Sequence, residues 1–416
     1  MAFQPEQADE TPTDKPEPVL VQPLEVLYWP QLDGLRALAF LMVFLTHQTP
    51  FLVSPEAASI PGVMPVVLLI NWIIGWGWMG VDVFFVLSAF LITTLLLRER
   101  AQFGNISFPQ FFMRRMLRIW PLYFLILLLG FFILPACQYY QYPWGSPEWK
   151  AMISSYLPAF LLFLGNMKLA LLSKAPIADS LRITWSVAME EQFYLVWGLI
   201  LTRVQQLKTL TMLIIMLIPF TLLLRLSVYF SFHHPFAFYY NPLTHLDPLL
   251  VGISIAILFH ANKLPVTRLE SWGAVLFLAP ILLYLGLGLG APNLDKMHIS
   301  MVLIMSLSAL GAGSFLLALL YWPPAKRLFS IRPLIWLGRL SFGLYLFHPL
   351  AKHLTDSLIL DAYRTGIISD QILAWILSLL CGLITTVLFA WLSWHLLEKH
   401  CSRLRKHFMR VPSGSL

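Results

Sequence analysis

Continuously apolar runs of about twenty residues, closed by Gly, Pro or charged residues, recur along almost the whole chain. Twenty residues is roughly the length an α-helix needs to cross the hydrocarbon layer of a bilayer. Ten runs approximate it, beginning near Leu35, Trp78, Arg118, Trp185, Leu210, Pro242, Trp272, Ser300, Leu334 and Gln371. None shows the period-two alternation of a membrane barrel strand. The pattern therefore predicts an all-α polytopic membrane protein of about ten transmembrane helices. Two further apolar segments are expected to be interfacial or re-entrant. These are Val63 to Trp76, and Tyr156 to Leu171, which Pro158, Gly165, Asn166 and Lys168 interrupt.

Lys and Arg concentrate in cytoplasmic loops. With both termini cytoplasmic, the inner segments collect Arg98, Arg100, Arg114, Arg115 and Arg118, then Lys326, Arg327 and Arg332, and finally Lys399, Arg403, Arg405, Lys406 and Arg410. The outer loops hold only scattered basic residues such as Lys150, Lys174 and Arg364. Making Tyr156 to Leu171 an eleventh span would place the basic C-terminal end outside, so ten spans are preferred. The expected organisation is a disordered, acidic, Pro-rich cytoplasmic tail over 1–30, a membrane domain over 31–398, and a basic cytoplasmic tail over 399–416. The first segment lacks the basic start and small-residue cleavage site of a signal peptide.

Composition agrees with a membrane protein: 58% of the residues are hydrophobic, 12% are charged, and the mean hydropathy is +0.73. A formal net charge of +7 follows from the positive inner loops and requires no nucleic acid. Cys137, Cys381 and Cys401 are expected outside, within and inside the membrane, so no disulfide is suggested. No metal-ligand set is apparent.

The ionisable residues inside the apolar runs carry the functional signal. Arg36 and His47 are eleven positions apart, about 20° around a helix and about 16 Å along it. They share a face, with Arg36 at the cytoplasmic mouth and His47 in the outer half. Asp82, Glu190, Glu191, His245, Asp247 and His348 are expected near the depth of His47. Intramembrane charges are costly and by default mark a site or a pathway, and spacing alone leaves catalysis and transport equally open. Each residue also has an ordinary reading. Arg36 could snorkel, Asp82 could cap its helix, Asp247 could start one, and the Arg114, Arg115 and Arg118 cluster could be a topology signal. Glu190 and Glu191 point about 100° apart, so one cavity receives at most one of them.

The Arg36-to-His47 spacing, "GVDVFFVLSAFLI", "RRMLRIWPLY", "WSVAMEEQFYLVW", "SFGLYLFHPL" and "LLEKH" occur in an order that resembles the acyltransferase 3 family of integral-membrane acyltransferases, over roughly Leu32 to His400. Ala89 departs from a frequent glycine, and Lys399 with His400 from a frequent proline. The resemblance implies an O-acetyltransferase moving acetyl from acetyl-CoA to a hydroxyl of a cell-surface polysaccharide or glycolipid, such as lipopolysaccharide O-antigen or exopolysaccharide, in the cytoplasmic (inner) membrane, with no metal. It implies that Arg36, Arg114, Arg115 and Arg118 bind the phosphates of CoA. His47 would be general base or acyl carrier, with Glu190 or Glu191 orienting it and Asp82 in the same catalytic group. Trp185, Tyr194, Asp247 and His348 would contact the acceptor. Many relatives carry a further extracytoplasmic hydrolase-like domain, and this chain is expected to work as the standalone form. The alternative is a transporter or flippase for a lipid-linked or small-molecule substrate, using the same charges as a proton or substrate path. The lack of visible repeats disfavours it.

Overall fold

The computed structural model describes residues 28–47, 74–137, 142–172, 178–232, 236–288 and 299–411. Among these the chain forms helices and no strands. In chain order the principal helices are α1 (Pro30–Thr46), α2 (Gly80–Phe103), α3 (Phe108–Leu128), α4 (Pro147–Leu161), α5 (Gly165–Ala170), α6 (Trp185–Arg203), α7 (Leu207–Ser231), α8 (Asp247–His260), α9 (Gly273–Gly288), α10 (Ser300–Tyr321), α11 (Arg332–Arg339), α12 (Ser341–Arg364), α13 (Gln371–Ser393) and α14 (Lys399–Arg405). Of the leader expected over 1–30, residues 1–27 lie outside the described residues, as does most of the Val63 to Trp76 run, while Pro30 already begins α1.

Every one of the ten expected positions carries a helix. By length and apolarity, however, five described helices qualify as membrane spans, or six if α11 and α12, bent by 74°, count as one. This is a multi-pass membrane protein. The helices that fall short include those bearing polar groups. The 17-residue α1 ends at Thr46 with His47 as its C-terminal cap, and the 14-residue α8 begins at Asp247. The Tyr156 to Leu171 segment is not a continuous span. α4 stops at Leu161, Phe163 takes a left-handed φ of 55°, and α5 runs only six residues. Gln192 of α6 holds this break by donating to the Phe163 carbonyl at 2.7 Å and to Asn166 Oδ1 at 2.8 Å.

α2 is the central element. Its span is 78% buried, whereas that of α7 is 17% buried, and α7 turns Ile215, Met216, Leu223 and Phe230 outward. Lipid solvates such side chains as well as a protein core does, so association in the bilayer relies on close packing. Small residues supply it here. A Cβ on Gly80 would stand 2.4 Å from the Ala39 carbonyl oxygen, and one on Gly252 2.4 Å from that of Val86 and 2.8 Å from the Ala89 Cβ. Gly252 thus lets α8 approach α2 closely opposite Ala89, the position that departs from the family's frequent glycine. α11 abuts α1 in the same way through Gly338 and the Asp33 backbone.

The basic stretch expected as a tail from 399 is not a free tail as far as residue 411. Beyond α13 the helix widens by one turn at Trp394–Glu398 and continues as α14, and all of this packs along α3.

Candidate active site

α1, α2, α3, α6 and α12 surround a partly open cavity. Three guanidiniums line it, from Arg36, Arg115 and Arg118, together with Glu190, Ser88, Tyr194, Ser186, Ser341 and Tyr345. Helical spacing explains the arrangement. Arg115 and Arg118 are three apart, so they share the face of α3 turned to the cavity. Arg114 turns away, donating to Glu99 Oε2 at 3.2 Å and to the Phe408 carbonyl at 2.6 Å. The four-arginine anion site expected from sequence therefore has three members on the cavity, and Arg114 serves as a structural ion-pair partner. Arg36 is held by Asp33, its neighbour one turn back, at 2.6 Å. The Arg115 guanidinium lies 6.0 Å from the centroid of the Tyr194 ring, and its Nε has no hydrogen-bond partner.

The two glutamates separate as their 100° offset requires. Glu190 faces the cavity and accepts from Ser88 Oγ at 2.6 Å. Glu191 instead accepts from Trp120 Nε1 of α3 at 3.0 Å and is not on the cavity.

His47 is beside the cavity wall rather than on it. Its Nδ1 is 2.8 Å from the Val43 carbonyl oxygen. A carbonyl only accepts, so Nδ1 carries the proton and Nε2 holds the lone pair of the neutral ring. The orienting role expected for Glu190 or Glu191 thus falls to the backbone of α1. The His348 ring stands 4.9 Å from His47, centroid to centroid. It is fully buried, with its Nδ1 on the Tyr345 carbonyl at 2.6 Å and its Nε2 unpartnered. Tyr345 lines the cavity and bonds Ser186 at 2.8 Å, so one helical turn of α12 joins the cavity wall to the imidazole pair.

Asp82 is not part of this group. It is the third residue of α2 and makes no cap bond. Its carboxylate meets His245 Nε2 at 2.7 Å and accepts from Ser308 Oγ. The other nitrogen of His245 faces the Tyr239 carbonyl at 3.0 Å. Both ring nitrogens therefore face acceptors, and one proton must be shared between His245 and Asp82. Trp185, expected to touch the acceptor, is buried against this pair, stacked 5.7 Å from the His245 ring. Asp247 is likewise committed, forming an ion pair with the fully buried Arg225 of α7 and accepting from Ser306 Oγ at 3.3 Å. Sequence reasoning missed Arg225 and Ser308. An arginine in the middle of the apolar α7 was the available signal for the first.

Comparison with known proteins bears on what this arrangement is. The family model described as an acyltransferase domain, that of the acyltransferase 3 family, matches residues 29–395. The chain belongs to this family. Among similar proteins are a putative peptidoglycan O-acetyltransferase, YrhL, of Bacillus subtilis, 28% identical over 332 residues, and the peptidoglycan O-acetyltransferase OatA of Listeria monocytogenes, 27% identical over 334. The O-acetyltransferase OatA of Staphylococcus aureus is 26% identical over 343 residues. Each alignment covers 77% of this chain and 48%, 49% and 50% of the respective relative, so the chain spans about half the length of the curated relatives it matches. No solved structure matches it significantly.

Proposed function

We propose that the protein is an O-acetyltransferase of the cytoplasmic membrane that moves acetyl from acetyl-CoA to a hydroxyl of a cell-envelope glycan. The names of the relatives make peptidoglycan the first acceptor to try. The observation that carries this reading is the cavity, which joins three guanidiniums to a row of hydroxyls and a carboxylate and ends beside two imidazoles. Arginine forks suit phosphate oxygens, so Arg36, Arg115 and Arg118 receive the phosphates of the donor at the cytoplasmic mouth. The pantetheine arm then runs between the apolar walls of α2 and α3 toward α12. Ten membrane crossings with both termini inside complete the scheme.

The tautomer of His47 sets its chemistry. Nε2 takes the proton of the acceptor hydroxyl as the hydroxyl oxygen attacks the thioester carbonyl carbon. The carbon–sulfur bond breaks, and the proton passes to the departing thiolate. Backbone anchoring of Nδ1 keeps the basic nitrogen pointed one way, the part a carboxylate plays in hydrolytic triads.

Inside-out vesicles supplied with labelled acetyl-CoA provide the test. Label should reach envelope glycan with the wild type and not with His47→Ala at equal folded amount. Transfer undiminished by His47→Ala would refute the mechanism. Wild type inactive with every acyl-CoA and glycan offered would refute the function and favour transport.

A further inference from the structure

The transfer scheme uses His47 and leaves His348, in contact with it, without a task. The resemblance led us to expect His348 on the acceptor. Its ring is instead fully buried, packed against Phe40, Phe44, Tyr345 and His47 at centroid distances of 6.3, 6.5, 5.8 and 4.9 Å. It does not line the cavity, whereas Tyr345, one helical turn earlier on α12, does. His348 therefore lies behind the cavity wall, where it meets His47.

The protons of the two rings are accounted for by their acceptors. Each imidazole donates Nδ1–H to a carbonyl of its own helix, His47 to Val43 at 2.8 Å and His348 to Tyr345 at 2.6 Å. Both neutral rings then keep a lone pair at Nε2. The Nε2 of His348 is buried and has no hydrogen-bond partner among the described residues. A buried acceptor left unsatisfied is costly and calls for an explanation. The packed neighbours offer no relief, because the two phenyl rings carry no polar donor and the Tyr345 hydroxyl is engaged with Ser186 at 2.8 Å and the Ile183 carbonyl at 3.2 Å. The charged groups that act on His47 are Asp179, Arg182 and Lys352. Arg182 pairs with Asp179 at 2.7 Å and Lys352 with Asp356, so each already has a partner. The proton that fits the free lone pair is the one His47 acquires during transfer.

We infer that His348 is a positioning residue for His47, its free Nε2 accepting a hydrogen bond from the imidazolium that His47 becomes during transfer. This rests on the transferase reading with His47 as base. With no proton between them, two lone pairs do not bond, and the resting structure shows none bonded. When His47 Nε2 takes the acceptor proton, the new N–H is shared with His348; it breaks again as the proton goes to the thiolate, and His348 ends unchanged. Charge-assisted hydrogen bonds are stronger than neutral ones. One that exists only while His47 is charged stabilises the transition state and not the bound substrates.

The test measures kcat and the KM values for acetyl-CoA and a peptidoglycan glycan fragment, for wild type, His348→Phe and His348→Gln at equal folded amount in nanodiscs. His348→Phe keeps a ring and removes the acceptor, so kcat should fall about tenfold or more while both KM values stay within about twofold. His348→Gln, whose amide oxygen accepts a hydrogen bond, should recover part of the loss. If the phenyl ring prevents folding, His348→Met takes its place as the apolar variant. Unchanged kcat in the apolar variant would overturn the inference. A higher glycan KM at constant kcat would also overturn it and return His348 to the acceptor, and equal rates for the glutamine and apolar variants would leave His348 a packing role only. Failure of the parent reading looks different: wild type transfers nothing, or His47→Ala transfers as well as wild type, and the base itself is lost along with its partner.

Discussion

Asp247 offers the sharpest separation between a structural and a substrate-binding role. Arg225 is fully buried and donates Nε to the Thr244 carbonyl at 2.6 Å, Nη1 to the Val302 carbonyl at 2.5 Å and to Ser306 at 3.0 Å, with Asp247 as its counter-ion. Asp247→Asn would take from that guanidinium the one carboxylate in direct contact with it among the described residues. Removing one partner of a buried pair costs about 3 to 5 kcal/mol. Arg225→Met should cost a similar amount, because Asp247 then carries the lone charge. The double change Arg225→Met with Asp247→Leu removes both charges and strands two carbonyls at about 1 kcal/mol each, so it should cost about 2 kcal/mol where additivity would give about 6 to 10. Reversible unfolding in mixed micelles reads the cycle, and acceptor KM is followed in parallel. If Asp247→Asn costs less than about 1 kcal/mol and instead raises acceptor KM, the carboxylate touches substrate and the reasoning is wrong.

Three further outcomes follow from the same geometry. Arg115→Ala and Arg118→Ala should each raise donor KM about tenfold or more, whereas Arg114→Ala should lower unfolding stability by removing its ion pair with the buried Glu99; equal kinetic effects from all three would contradict the facing of α3. Glu190→Ala should depress transfer and Glu191→Ala should mainly destabilise α6 against Trp120, a split read by activity per folded molecule. Gly338→Ala puts a Cβ 1.8 Å from the Asp33 carbonyl oxygen, so α11 must move off α1; a cost of more than about 2 kcal/mol in unfolding is expected, and a neutral result would show that this contact relaxes.

The helix positions were legible because a bilayer imposes length and apolarity on each run separately, without reference to any other run. The shared face of Arg36 and His47, the divergence of Glu190 and Glu191 and the helix break near Phe163 came from local periodicity and punctuation in the same way. Which helices span alone was less legible, since polar residues at the ends of α1 and α8 shorten them.

Partner choice required the tertiary structure. Arg114 and Arg115 are adjacent and chemically identical, and only the rotation of α3 sends one to Glu99 and the other to the cavity. Asp82 reads equally well as a cap or a catalyst until α8 arrives, through Gly252, close enough to bring His245 to it. His47 was expected to need a carboxylate, and its own helix supplies the acceptor instead. The chain by itself determined a multi-pass membrane protein built of apolar helices with charges inside them. Where those charges pair was decided by helix rotation and close approach, because in lipid the packing of small residues, not hydrophobic burial, sets how one helix meets the next.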